Sequence, residues 1–216
     1  MATEATRNGS ISTRIRVVDA ALTCIADKGY YRASSNEIAR TAGVTWGVIA
    51  HHFGSREALM LAALERASER LHEVVAEADV SGATLEERLR KYLAVLTQHY
   101  GQPTYLAYLQ ILTNVSRDPQ TSERTADIVR RSNEMLQAEV IGLQSAVLGP
   151  SVSQGDLSGF LFHSCRGLAL SHLMLHSAGG HPELAQDSAA ADAADAHGEL
   201  LVRALAHELR ALGVQD

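Results

Sequence analysis

Gly43 divides the stretch Ser34 to Leu59, SSNEIARTAGVTWGVIAHHFGSREAL, into two halves that each favour helix and cannot together form one long helix. Ser34 and Glu37 have the spacing of a capping box, in which the hydroxyl meets the amide at the third helical position while the carboxylate reaches back. The first half therefore predicts a helix running to about Thr41 and the second one from about Thr45 to His52, with Gly43 supplying the permissive backbone of the turn between them. Two helices that cross closely need a small residue at the contact, a glycine at the turn and an aliphatic residue inside the second helix. Ala39, Gly43 and Ile49 fill those places as in a helix-turn-helix, although an ordinary helical hairpin uses the same residue types. A unit of the first kind presents its second helix as a rod that fits a DNA major groove about 12 Å wide.

Helical patterning extends over the rest of the chain, and no segment reads convincingly as a strand. Ile15, Val18, Leu22 and Ile25 recur at helical spacing up to Lys28-Gly29, a cation in the last turn followed by a residue suited to a left-handed cap. Ser55 can cap a long fourth helix through Leu59, Ala63, Ala67, Leu71 and Val74, and Thr84 with Glu87 caps a fifth that carries Leu85, Leu89, Tyr92, Leu93, Leu96 and Tyr100 inward. Pro103 opens a sixth helix, and Asp118-Pro119 separates it from a seventh with a Val129, Leu136, Val140, Leu143 and Val147 stripe. Gly149-Pro150 ends that helix. An eighth, about Gln154 to Ser177, is apolar on two sides, with Leu157, Leu161, Leu168 and Leu175 on one and Phe162, Ala169 and Leu173 on the other. After the Gly179-Pro182 break and an Ala/Asp-rich stretch, a ninth helix places Leu201, Ala204, Leu205, Leu209 and Leu212 in register. The expected fold is all-α with about nine helices: an N-terminal arm over residues 1–12, a three-helix DNA-binding unit over 13–56 and a helical body over 57–216.

Net charge is -6 over 216 residues, which argues against a nucleic-acid partner until its distribution is considered. Residues 1–56 hold seven basic and four acidic side chains, whereas the remainder holds 12 and 21, so a mildly basic head sits on an acidic body. Two distant cysteines, Cys24 and Cys165, make neither a close-spaced disulfide nor a zinc pattern, and the polar N-terminus lacks the apolar core of a signal peptide. With 46% hydrophobic residues and no run of the roughly 18 apolar residues a membrane span needs, the chain is expected to be a soluble, cytoplasmic protein with a sizeable core. No nucleophile elbow, phosphate loop, dinucleotide fingerprint or HExxH helix is present, so an enzyme is not expected.

The stretch AALTCIADKGYYRASSNEIARTAGVTWGVIAHHFGSREALMLAALE, Ala20 to Glu65, resembles the TetR family of transcriptional regulators. That family has a helix ending in Lys-Gly-Tyr, an Ile-Ala-x-x-Ala-Gly-Val turn and a His-x-Phe-x-Ser-Lys-Glu-x-Leu run into helix four. The resemblance implies a homodimer that binds a palindromic double-stranded operator through its N-terminal domain and is released when a small molecule binds the C-terminal body. Carried over by position, it implies DNA contacts at Ser34, Thr45, Trp46, Gly47, His51, Ser55 and Arg56, with Phe53 as a core aromatic that locks helix three in place. Helix N-termini suit phosphate because their free amides and positive dipole ends point at the anion. Two departures stand out. Ala50 occupies the place of a Tyr that commonly meets phosphate, and the recognition segment has no Arg or Lys to grip a guanine in bidentate fashion. A degenerate member that binds a ligand but no DNA is therefore an alternative.

In the body, Tyr92, His99, Tyr105, Tyr108, Asn114, Phe162 and His163 are candidate pocket residues for a mainly apolar or aromatic effector. Leu161, Leu168, His172 and Leu175 with Leu201, Leu205 and Leu209 are candidate dimer-interface residues, because helices eight and nine carry more apolar surface than one body domain covers. Cys165, His172 and His176 share one side of helix eight and raise the alternative of a metal- or redox-responsive regulator. Three ligands strung over about 16 Å cannot all reach one ion, so neither a metal nor another cofactor is expected.

Overall fold

The computed structural model describes residues 2–149, 156–178 and 188–215. Nine helices occur among them and no strand: α1 Ala2–Lys28, α2 Ser35–Ala42, α3 Trp46–Phe53, α4 Arg56–Ala76, α5 Leu85–Tyr100, α6 Pro103–Val115, α7 Ser122–Leu148, α8 Asp156–Ala178 and α9 Ser188–Ala211. Residues 2–12, expected as an arm, continue α1 as helix. No helix among the described residues is long and apolar enough to cross a membrane.

The chain packs as two compact units, one of residues 1–70 with 103–133 and one of residues 71–102 with 134–216. In the first, Val17, Val18, Leu22 and Ile25 of α1 are buried with Ile38, Ala39 and Ala42 of α2, Ile49 of α3 and Leu59, Met60 and Leu64 of α4. Ala107, Ile111 and Val115 of α6 and Ile128 of α7 close the same core. The inward stripe of α1 begins at Val17 and Val18 rather than at Ile15, which is 44% exposed along with Ile11 one turn earlier. Both cysteines are buried and free.

In the second unit, Leu85, Leu89, Tyr92, Leu96 and Tyr100 of α5 are buried, as are Leu161, Cys165, Ala169 and Leu173 of α8 and Val202, Leu205, Ala206 and Leu209 of α9. The Thr84 cap forms as its sequence predicts, with the Glu87 amide donating to the Thr84 hydroxyl at 3.3 Å, while the Glu87 carboxylate reaches back to the Ala83 amide at 2.8 Å. Val140, Leu143 and Val147 are buried on α7 as expected, but Leu212, just past the end of α9, is exposed, and Val202 on α9 takes an inward place that its spacing did not flag. The side chains of Leu71, Leu136, Leu157, His172, Leu175 and His176 lie outside the described residues.

Candidate nucleic-acid interface

The α2–turn–α3 segment forms as read from Gly43. That glycine adopts φ 65° and ψ 34°, the left-handed region, and its amide closes the end of α2 onto the Ala39 and Arg40 carbonyls. The next amide, Val44, donates to the Ala39 carbonyl at 3.0 Å, so the turn leaves no loose backbone behind it. Ala39 is nearly and Ile49 wholly buried, which seats α3 against the core by its Ile49 side. Burying one such isoleucine contributes roughly 1.5–3 kcal/mol.

Seating by Ile49 turns the rest of α3 outward. Thr45, Trp46, Gly47 and His51 are all exposed, with Trp46 at 37%, while Val48 and Ala50 are half-buried. Thr45 is the N-cap of α3, yet its side chain makes no capping hydrogen bond, so its hydroxyl is not committed to the helix. His51 packs edge-on to His52 at 5.6 Å between ring centroids. Phe53, expected in the core, is half-buried, with the Arg14 guanidinium 5.2 Å from its ring centroid.

Ser34 and Ser55 stand exposed at the N-termini of α2 and α4. Each hydroxyl oxygen accepts from its own helix, from the Glu37 amide at 3.3 Å and the Ala58 amide at 3.1 Å. Only half of the expected Ser34 box forms. The Glu37 carboxylate accepts from Lys28 and Arg40 instead of reaching back, because two cations outcompete one neutral amide. Hydrogen bonds from Arg40 and then Lys28 hold that carboxyl down at about 2. The one acid of α2 is thus covered by two cations, and Arg40 remains largely exposed.

Arg56 sits differently from its expected role at a phosphate. Its Nη2 donates to the Tyr30 carbonyl at 2.8 Å and the Ala33 carbonyl at 3.4 Å, and its guanidinium carbon lies 4.6 Å from the Tyr30 ring centroid. It braces the 30–33 loop. The exposed cations Arg14, Arg16 and Arg32 were not among the candidate contacts, although they belong to the basic head that the charge count detected.

The candidate effector residues are divided between the two units. Tyr105, Tyr108 and Asn114 belong to the first unit. There the two tyrosine rings stack at 5.4 Å, and the Asn114 amide group bonds the Tyr31 hydroxyl and the Gln110 carbonyl. In the second unit Tyr92 is fully buried and its hydroxyl accepts from Gln144 at 3.1 Å; desolvation pushes that phenol well above its usual range. His99 is buried edge-on against Tyr100, and burial, with Arg166 adding repulsion, lowers it to about 4. Tyr100 meets Phe162 edge-on, and Arg166 lies 5.1 Å from the Tyr100 ring centroid, whereas His163 is exposed. A cavity of about 420 Å³ in this unit is lined by Val75, Ala76, Val80, Leu143 and Ala146 with Asp79 and Ser81, none of them a candidate. Gln144 and Arg166 were not among the candidates; Gln144 lies beside Leu143 on the buried side of α7, and Arg166 interrupts an apolar stretch of α8.

Of the candidate dimer residues, Leu161, Leu205 and Leu209 are buried in their own unit and so are not surface for a partner. Leu168 and Leu201 are half-buried, and exposed apolar surface lies instead at Phe160, Met174 and Leu200. Cys165 is buried and its thiol raised to about 12 by desolvation, which disfavours the thiolate a metal or redox site needs. Among the described residues no group of three His, Cys, Asp or Glu could hold a metal ion.

Residues 17–63 match the model of the TetR family of bacterial regulatory proteins. An HTH-type transcriptional regulator, BetI of Rhizobium meliloti, is 30% identical over 134 residues, 61% of this chain and 64% of that protein. The match thus spans somewhat less than two thirds of that relative. CymR of Pseudomonas putida, also an HTH-type transcriptional regulator, is 26% identical over 76% of this chain and 81% of its own. Among solved structures, GusR of Salmonella enterica superposes with a TM-score of 0.58 at 21% identity, covering 92% of this chain and 95% of that one, which shows the shared fold. The similarity to the TetR family of bacterial regulatory proteins is thus carried by residues 17–63, the helix-turn-helix segment.

Proposed function

We propose that the protein is a sequence-specific DNA-binding transcriptional regulator, a repressor that leaves a palindromic operator when a small apolar or aromatic effector binds its helical body, and that it acts as a homodimer. One observation carries the reading: Ile49 and the left-handed Gly43 hold α3 so that Thr45, Trp46, Gly47 and His51 face solvent together. With no Arg or Lys on α3, base reading falls to the Thr45 hydroxyl and methyl, the Trp46 ring against a thymine methyl and His51, together with DNA shape. The exposed N-termini of α2 and α4 and the cations of the basic head supply phosphate attraction.

Residues 13–56 act as the DNA-binding part and 57–216 as the part that binds the effector and the partner subunit. Phe160, Met174 and Leu200 on α8 and α9 support that partner surface, and the aromatic surroundings of Tyr92, Tyr100 and Phe162 support the effector class. A body that binds an effector without DNA is the second reading, favoured by the missing hydroxyl at Ala50 and the absence of cations from α3. Selection of duplexes from a randomised library by the purified protein decides between them. Enrichment of a palindrome with half-sites about 34 Å apart supports the regulator, and a pool that stays random at low salt supports the second reading.

A further inference from the structure

Between α1 and the N-cap of α2 lies a loop of five residues, Gly29 to Ala33, gripped from two sides. Gly29 takes φ 84° and its amide closes α1 onto the Ile25 carbonyl at 2.9 Å. The Arg32 and Ala33 amides then turn back to the Gly29 carbonyl at 3.2 and 3.0 Å. Tyr30 has no such partner within the loop for its amide; it donates to the Gln110 Oε1 of α6 at 2.9 Å. One turn further along α6, Asn114 Oδ1 accepts from the Tyr31 hydroxyl at 2.7 Å, and its Nδ2 donates to the Gln110 carbonyl at 2.7 Å, which fixes the amide with its oxygen toward Tyr31. From the other side, Arg56 of α4 takes the carbonyls of Tyr30 and Ala33.

Tyr31 is 86% exposed, so burial does not hold its ring; an edge-on contact with the Tyr30 ring at 5.5 Å and the hydrogen bond to Asn114 orient it. Ala33, by contrast, is fully buried and directly precedes Ser34, whose oxygen caps α2. The loop therefore has little freedom of its own: a shift at Tyr30 is passed within four residues to the helix end that presents Ser34 and its free amides.

We propose that Gln110 and Asn114 are positioning residues for the nucleic-acid interface: from α6 they clamp the Gly29–Ala33 loop and so set where the N-terminus of α2 meets a phosphate. The inference rests on the DNA-binding reading above. Neither residue touches DNA, so each acts on affinity through geometry and not through charge. Loss of one such hydrogen bond lowers duplex affinity about 2- to 12-fold while the slope of log affinity against log salt stays at its wild-type value, because no phosphate neutralisation is lost.

Two measurements on the full chain test this. In hydrogen exchange, Gln110→Leu keeps the side chain's bulk but loses the acceptor, and the amides of Tyr30 and, in the first turn of α2, of Glu37 and Ile38, which bond to Ser34, are expected to exchange about 2- to 12-fold faster. Gln110→Glu keeps an acceptor oxygen and is expected to restore both. On a duplex selected from a randomised library by the wild-type protein, Tyr31→Phe and Asn114→Ala each weaken binding, and the double variant is no weaker than the worse single one. Tyr31→Phe removes one exposed hydroxyl and serves as the fold-neutral variant should Gln110→Leu misfold. The clamp is overturned if Tyr30 exchange alone changes while the first turn of α2 keeps its protection, or if the variants bind the selected duplex as tightly as wild type. A wild-type protein that enriches no duplex removes the DNA reading, and the exchange measurement then still decides whether the clamp positions α2.

Discussion

Arg56 donates to two backbone carbonyls and lies over the Tyr30 ring, an arrangement that uses the planar fork of a guanidinium and not simply its charge. A lysine there keeps the charge and loses the fork. Arg56→Lys and Arg56→Ala are therefore both expected to weaken duplex binding without altering its salt slope, as read by fluorescence anisotropy over a series of salt concentrations. A slope flattened by about 0.9 in Arg56→Ala but not in Arg56→Lys would instead place the guanidinium on a phosphate. Sequence placed this residue at the right helix end but did not reveal its bonds to the Tyr30 and Ala33 carbonyls. A resemblance carries position, but which partner a long side chain selects depends on the loop folded beside it. Glu37 makes the same point: its spacing from Ser34 was correct, yet Lys28, nine residues back, and Arg40 captured its carboxylate.

For the elements, the turn between α2 and α3 gives the sharpest expectation. No atom lies within 4 Å of where a Gly43 Cβ would sit, so space does not demand glycine there, but φ 65° does. Gly43→Ala pays the left-handed penalty of roughly 1–2 kcal/mol, and the melting temperature of the variant is expected to fall by about 2–8 °C. An unchanged melting temperature would mean that the turn relaxes elsewhere. Caps and turns of this kind were legible because their partners are within a few residues: Gly43, Thr84 with Glu87, and Ser55 with the Ala58 amide all formed as read. The start of the α1 stripe was misread at Ile15, since helical spacing identifies a face but not how far along it the core extends. The ties of Tyr30 to Gln110 and Tyr31 to Asn114 join residues 80 and 83 positions apart, and no local pattern announces them.

At the scale of the whole molecule, stability carries a pH signature set by a buried histidine. His99 is buried neutral, lowered to about 4 by desolvation and by Arg166, so the unfolded chain binds its proton more readily than the folded one. Stability from this site is complete above the usual histidine value near 6.5 and is lost as pH falls from there toward 4. Urea-unfolding midpoints are expected to drop between pH 7 and pH 5, and His99→Gln to flatten that drop; an equal drop in the variant would assign it to other groups. The candidate pocket was the least legible part, because tyrosines and histidines on apolar helix faces look alike whether they fill a core or line a cavity, and Tyr105 and Tyr108 proved to stack within the first unit. The exposed face of α3 was legible, because Ile49 sets which side is inward and the remaining positions follow from the helical period.

That face is the central claim, and hydroxyl-radical footprinting on a selected duplex tests it most directly. The account predicts two protected stretches of sugar-phosphate backbone on one side of the duplex, with centres about 34 Å apart, and a changed base preference when Trp46 is replaced by Ala. Protection spread evenly along the duplex, with Trp46→Ala footprinting as wild type, would contradict it.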